Sequence, residues 1–152
     1  MNKKVVFISD FFVEHVLGGG EINDSELASL LIGVGFSVIR KQSHLVSQEF
    51  LSDNRDSFFI ISNFINLSSA CKRVLLDLNY VIYEHDHKYI KNRNPALYRD
   101  FEAPKSEIVN FFFYKGANAV FCQSKFHKEI LMKNLDIDNI ISVGGNLWSD
   151  DS

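Results

Sequence analysis

Four ionisable side chains stand in a row at Glu84-His85-Asp86-His87, directly after the apolar run Tyr80 to Tyr83. Unpartnered buried charge is costly, so these groups belong at a strand end, exposed or paired. His85 and His87 are two residues apart, share one side of an extended chain, and could present two imidazoles to a metal ion. Glu84 and Asp86 would point elsewhere. A third ligand at recognisable spacing is absent; His15, His44 and His127 would reach the pair only through the fold. The favoured alternative is a polar substrate pocket with one general base.

Three further segments carry comparable chemistry. Gly18-Gly19-Gly20-Glu21 stands between an apolar run and an amphipathic one. Glycines there let a ligand approach the backbone, and free N–H groups at a helix start favour a phosphate or sugar oxygen; the plain alternative is a tight turn. Lys88, Lys91 and Arg93 follow the histidines, and residues 84–128 hold eight Lys and Arg against five Asp and Glu. That excess suits an anionic ligand such as a diphosphate, or else is a solvated loop. Ser124 and Lys125, in Gln123-Ser124-Lys125-Phe126-His127-Lys128, open another amphipathic run. They read equally as a ligand-facing helix start and as simple capping by Ser124.

The elements that must position these residues are legible from periodicity. Lys3 to Ser9, Phe36 to Arg40, Ser57 to Ser62, Tyr80 to Tyr83, Ala119 to Cys122 and Ile140 to Val143 are short β-rich runs. The first is apolar without alternation, which fits a central strand covered on both faces. Helices are predicted over Glu21 to Val34, where Leu27, Leu30, Leu31 and Val34 share a face, then over His44 to Leu51, Leu67 to Leu78, Ser106 to Lys115 and Ser124 to Leu135. Gly35 is placed to end the first of them in the left-handed conformation. The stretch from His87 to Lys105 is long for a compact domain and points to function. Strands separated by helices require crossovers. The expected fold is therefore α/β, a Rossmann-like doubly wound parallel sheet of about six strands with helices on both faces. Ligands of such sheets bind beyond the carboxyl ends of the strands, which nominates the loop after Ser9, the Glu84–His87 turn and Gln123-Ser124-Lys125.

Composition narrows the class. The chain has 152 residues, 46% of them hydrophobic, with formal charge −3, enough for one domain with its own core. No global basic field calls for nucleic acid or an anionic membrane. No apolar run has the length of a membrane span, and the opening run is too short for a signal peptide. Cys71 and Cys122 make no CxxC and read as buried thiols of a reducing, cytoplasmic environment. A dinucleotide fingerprint is absent, since Glu21-Ile22-Asn23 follows the triglycine, and no G-x-S-x-G marks a hydrolase.

Taken in order, these motifs resemble the opening half of retaining glycosyltransferases of family 4, the group 1 enzymes. Gly18-Gly19-Gly20-Glu21 with its helix, Gly35 and the next strand resembles their GG-x-E loop. His85-Asp86 resembles their histidine–aspartate pair after the fourth strand. Ala119 to Ser124 resembles the strand closing their N-terminal domain. Ile141-Ser142-Val143-Gly144-Gly145-Asn146 stands where they carry V-x-P-N-G, with glycines replacing the proline and no glycine after Asn146. The resemblance implies a GT-B N-terminal, acceptor-binding domain over residues 1–146, with 147–152 starting a crossover or tail in which Trp148 stands. It implies a sugar or glycan acceptor, and a nucleotide-diphosphate-sugar donor held mainly by a C-terminal half. No cofactor or catalytic metal is implied. Gly19 and Gly20 would approach the donor phosphates or reacting sugar, and His85 would lie near the acceptor. The chain alone is expected to transfer no sugar. Two other readings remain: a stand-alone module binding a glycan or phosphorylated ligand, and a small metallo-hydrolase using His85, Asp86 and His87.

Overall fold

The computed structural model describes residues 3–10, 27–84, 87–122 and 124–142. Within them, six strands form one sheet: β1 (Lys4–Ser9), β2 (Ser37–Gln42), β3 (Phe58–Ile61), β4 (Asn79–Tyr83), β5 (Val120–Cys122) and β6 (Ile140–Ser142). Their order is β2-β1-β3-β4-β5-β6, and every pairing is parallel. The helices are α1 (described over 27–33), α2 (Gln48–Asp53), α3 (Ser69–Leu75), α4 (Phe111–Gly116) and α5 (Lys125–Asn134). The expected α/β Rossmann-like sheet is thus the fold observed. The chain reverses its direction of travel across the sheet between β1 and β3, the position at which such sheets open a crevice at their carboxyl edge.

The lack of alternation in β1 has the expected cause: the strand is buried on both faces. Val6 and Ile8 join a large core with Phe59, Ile61, Tyr80, Ile82, Phe113 and Leu131. Val5 and Phe7 join a smaller cluster with Ala28, Ile60, Val81 and Tyr83. β2, on the sheet's edge, has no fully buried residue. Gly35 stops α1 as expected, with φ at +103° and the N–H of Phe36 returning to the Leu31 carbonyl.

Serine hydroxyls set the starts of α2, α3 and α5. Ser47 accepts from Phe50 N–H, Ser68 from Cys71 N–H and Ser124 from His127 N–H, at 3.0 to 3.1 Å. Three helix predictions are corrected. The helix expected over His44 to Leu51 is a single 3-10 turn at Ser43–Leu45 followed by α2. The buried Ser43 gives its hydroxyl to Asn63 O, 2.9 Å away, and the Ser47 cap restarts the helix four residues later. The helix expected from Ser106 begins at Phe111 instead. Ser106 lies in a 3-10 turn, Ile108 forms an antiparallel bridge to Ile90, and Asn110 takes a left-handed φ of 60°. The helix read to Leu78 ends at Leu75.

Candidate functional site at the carboxyl edge of the sheet

At the switch point, β1 runs out into Asp10. Its N–H donates to Asn63 O at 2.8 Å, and its carboxylate accepts the N–H groups of Ile65 and Asn66, both at 3.0 Å. Asp10 is buried and ties the end of β1 to the turn after β3. Two consecutive N–H groups on one carboxylate fix that turn without any regular secondary structure.

Beside it, β4 ends in Glu84, which is fully buried. Its backbone N–H bonds Phe121 O at 2.8 Å. Its carboxylate receives both the Lys88 ammonium and the Tyr114 hydroxyl. For Glu84, the expectation that an ionisable group at the strand end must be exposed or paired is met by pairing. The expectation for Lys88 is corrected: it is 2% exposed, its charge is held by Glu84, and it adds nothing to a positive rim. A second interior lysine lies close by. Lys72 Nζ donates to Asn110 Oδ1 at 2.9 Å, and Asn110 Nδ2 donates to Lys88 O at 3.3 Å. Lys72 and Lys88 each place their Nζ 5.3 Å from the centre of the Phe64 ring. Burial lowers the Lys72 pKa, and the nearby Asp10 charge opposes that shift.

From this buried pair an aromatic and imidazole series leads outward. Tyr114 meets Tyr89 edge to face at 5.9 Å, and the Tyr89 hydroxyl lies 2.6 Å from His87 Nδ1. The His87 ring lies 4.6 Å from that of His127, in the first turn of α5. His87 is thereby brought beside the helix start that carries the exposed Ser124 and Lys125. The Ser124 hydroxyl accepts the His127 N–H and so caps α5, as one of its two sequence readings expects. Lys91 and Arg93 lie on the exposed part of the long connection after β4. The Lys91 ammonium is 4.0 Å from Glu107 in a solvated contact that adds little stability.

From His87 onward that connection is a hydrogen-bonded strap. Besides the Ile90–Ile108 bridge, Lys91 N–H bonds Glu107 O at 3.0 Å and Val109 N–H bonds Tyr89 O at 2.8 Å. Its far end is held by Asn134 of α5, whose Oδ1 accepts from Ala103 N–H while Nδ2 donates to Phe101 O and Ile130 O, each at 2.8 Å. Burial pushes the Cys122 thiol up to about 11, in keeping with the unreactive thiol expected there.

Gly18, Gly19, Gly20, Glu21, His85 and Asp86, with the segment after Ser142, lie outside the described residues. Among the described residues no three His, Cys, Asp or Glu side chains cluster as a metal site, and no helix is long and apolar enough to cross a membrane. Sequence reasoning missed Asp10, Lys72, Tyr89, Asn110 and Tyr114. The i, i+4 spacing of Glu84 and Lys88 was the one local signal for the buried pair.

No protein-family model matches the chain, and no curated protein matches it in sequence. Solved structures do resemble it. An α-glucosyltransferase, determined in complex with UDP and a 13-mer DNA containing an HMU base, superposes with a TM-score of 0.59 at 14% identity over 93% of this chain. The fold is glycosyltransferase-like. The chain spans 42% of that protein's length. A flavodoxin of Streptococcus pneumoniae TIGR4 aligns with 55% of this chain and 61% of its own, at 21% identity and a TM-score of 0.36.

Proposed function

We propose that this chain is the acceptor-binding half of a retaining glycosyltransferase similar to family 4, in which a second lobe holds a nucleotide-diphosphate-sugar donor. The observation that supports this reading is the likeness of nearly the whole chain to less than half of a glucosyltransferase that binds UDP. A hydroxyl of a sugar or glycan acceptor bonds to the anomeric carbon of the donor as the bond from that carbon to the diphosphate oxygen breaks, and the hydroxyl proton passes to the departing nucleotide diphosphate. Gly19 and Gly20 N–H groups stabilise the departing charge, as preorganised donors do for oxyanions. His85, with Asp86, positions the sugar hydroxyls. Lys91, Arg93 and Lys125 supply the positive rim, and Lys88 keeps the strand end in place from inside.

The rival reading is a stand-alone module that binds a glycan or phosphorylated ligand without catalysis. It draws on the six-stranded sheet and the two apolar clusters that the described residues form.

The deciding experiment titrates the 152-residue chain with simple glycosides and with UDP- and GDP-sugars, and follows transfer. The expected result is saturable glycoside binding, weakened about tenfold or more by His85→Ala, with no transfer until a donor-binding lobe is supplied in trans. Turnover by the chain alone overturns the half-enzyme reading. Glycoside binding with no transfer under any pairing favours the module, and no binding at all removes both.

A further inference from the structure

At the opposite end of the sheet, the amino ends of β1 and β3 border a groove of about 760 Å³. Its floor and one wall are apolar, formed by Val5, Leu31, Phe36 and Ile60, and Phe58 at its edge is 38% exposed. α1, which supplies Leu31, also leaves Leu30, Ile32 and Val34 open to solvent, at 55, 59 and 72%. Leu30 and Val34 lie one turn apart on one side of α1, next in the chain to the groove-lining Leu31 and Phe36, and apolar side chains left open beside an apolar groove mark a contact surface.

The charges around the groove identify the occupant. Lys3 and Lys4 stand on the β1 side, Asp53 and Asp56 on the other. Among the described residues no ion pair joins the two signs within one copy. A surface carrying equal and opposite charge on its two sides is complementary to itself: a two-fold axis running along the groove sets the lysines of each copy against the aspartates of the other. An anionic lipid surface would meet the aspartates as well as the lysines. A donor-binding lobe of the proposed enzyme would face the carboxyl edge, at the far ends of the strands.

We infer that the groove between β1, β3 and α1 is the isologous interface of a dimer of this chain. The inference does not depend on the proposed sugar chemistry, because none of its residues lies at the carboxyl edge.

The test is light scattering and sedimentation of the chain at tens of micromolar, expected to give a dimer. Phe58→Asp, in the groove at a side chain already open to solvent, should yield a folded monomer by circular dichroism. Two charge-reversed variants, Lys3→Glu with Lys4→Glu and Asp53→Lys with Asp56→Lys, should each weaken self-association about tenfold or more, since like charges then face each other at both contacts. Mixed together they should form a heterodimer of near-original affinity, because each contact again pairs opposite signs. A chain that stays monomeric, a dimer indifferent to Phe58→Asp, or a mixture that fails to associate overturns the inference. So does a monomer that binds anionic vesicles through Phe58.

Discussion

The Lys88 ammonium and the Glu84 carboxylate meet inside the protein, one turn of chain after β4, with neither side chain exposed to solvent. Glu84 also takes the Tyr114 hydroxyl. Desolvating two such charges consumes most of what their attraction returns, but leaving one alone is far worse. Glu84→Gln and Lys88→Met should therefore each lower unfolding stability by about 3–5 kcal/mol. The combined variant should recover a substantial part of that. Urea denaturation of the two single variants and the double variant provides the check, and additive losses would contradict it.

Asp10 fixes the turn after β3 through the N–H groups of Ile65 and Asn66. Asp10→Ala leaves both donors without that acceptor and should cost about 2–4 kcal/mol. Asp10→Asn keeps one acceptor oxygen and should cost less. Amide hydrogen exchange at residues 65 and 66 should accelerate more than at β3, and uniform acceleration would speak against a local role.

The Ser124 hydroxyl caps α5 by accepting the His127 N–H. Ser124→Ala should lower stability by about 1 kcal/mol, Ser124→Asp should restore it, and neither should alter glycoside affinity by more than about twofold. A large affinity change without a stability change would return Ser124 to the binding surface.

Cys122 titrates near 11 because burial disfavours its thiolate. Its folded pKa lies above the ordinary 9.0. Between these values the unfolded chain gives up the proton first, so folding stability is complete below the lower value and declines as pH rises through the upper one. Raised by burial, the Tyr80 hydroxyl adds to the same alkaline loss. Denaturation midpoints should fall across this range, and less steeply for Cys122→Val. At pH 8 iodoacetamide should label Cys122 only after unfolding.

Much of the sheet could be read directly because buried parallel strands write themselves as short apolar β-branched and aromatic runs. SFFIIS and YVIY needed no context to be placed. Helix limits were harder, since they depend on side chains that compete for backbone groups. Ser43 bonding Asn63 O, Ser47 restarting a helix and Asn110 in a left-handed conformation leave no periodic trace. At the carboxyl edge, counting charge gave the sign of the segment but not its distribution. Lys88 was counted with Lys91 and Arg93, yet it faces inward to Glu84 while they face solvent. Lys72 was hidden in an apolar helical pattern, and its partner Asn110 is far along the chain.

The strap between β4 and α4 is pinned at two places, by the Ile90–Ile108 bridge and by Asn134 at Phe101 and Ala103. Between those pins the chain runs mostly through exposed residues from Lys91 to Asp100. Variation in length is thus absorbed there, where added residues lengthen a bight between two fixed knots. The same addition between Ala103 and Ile108 would drag one knot past the other and shift His87 away from α5.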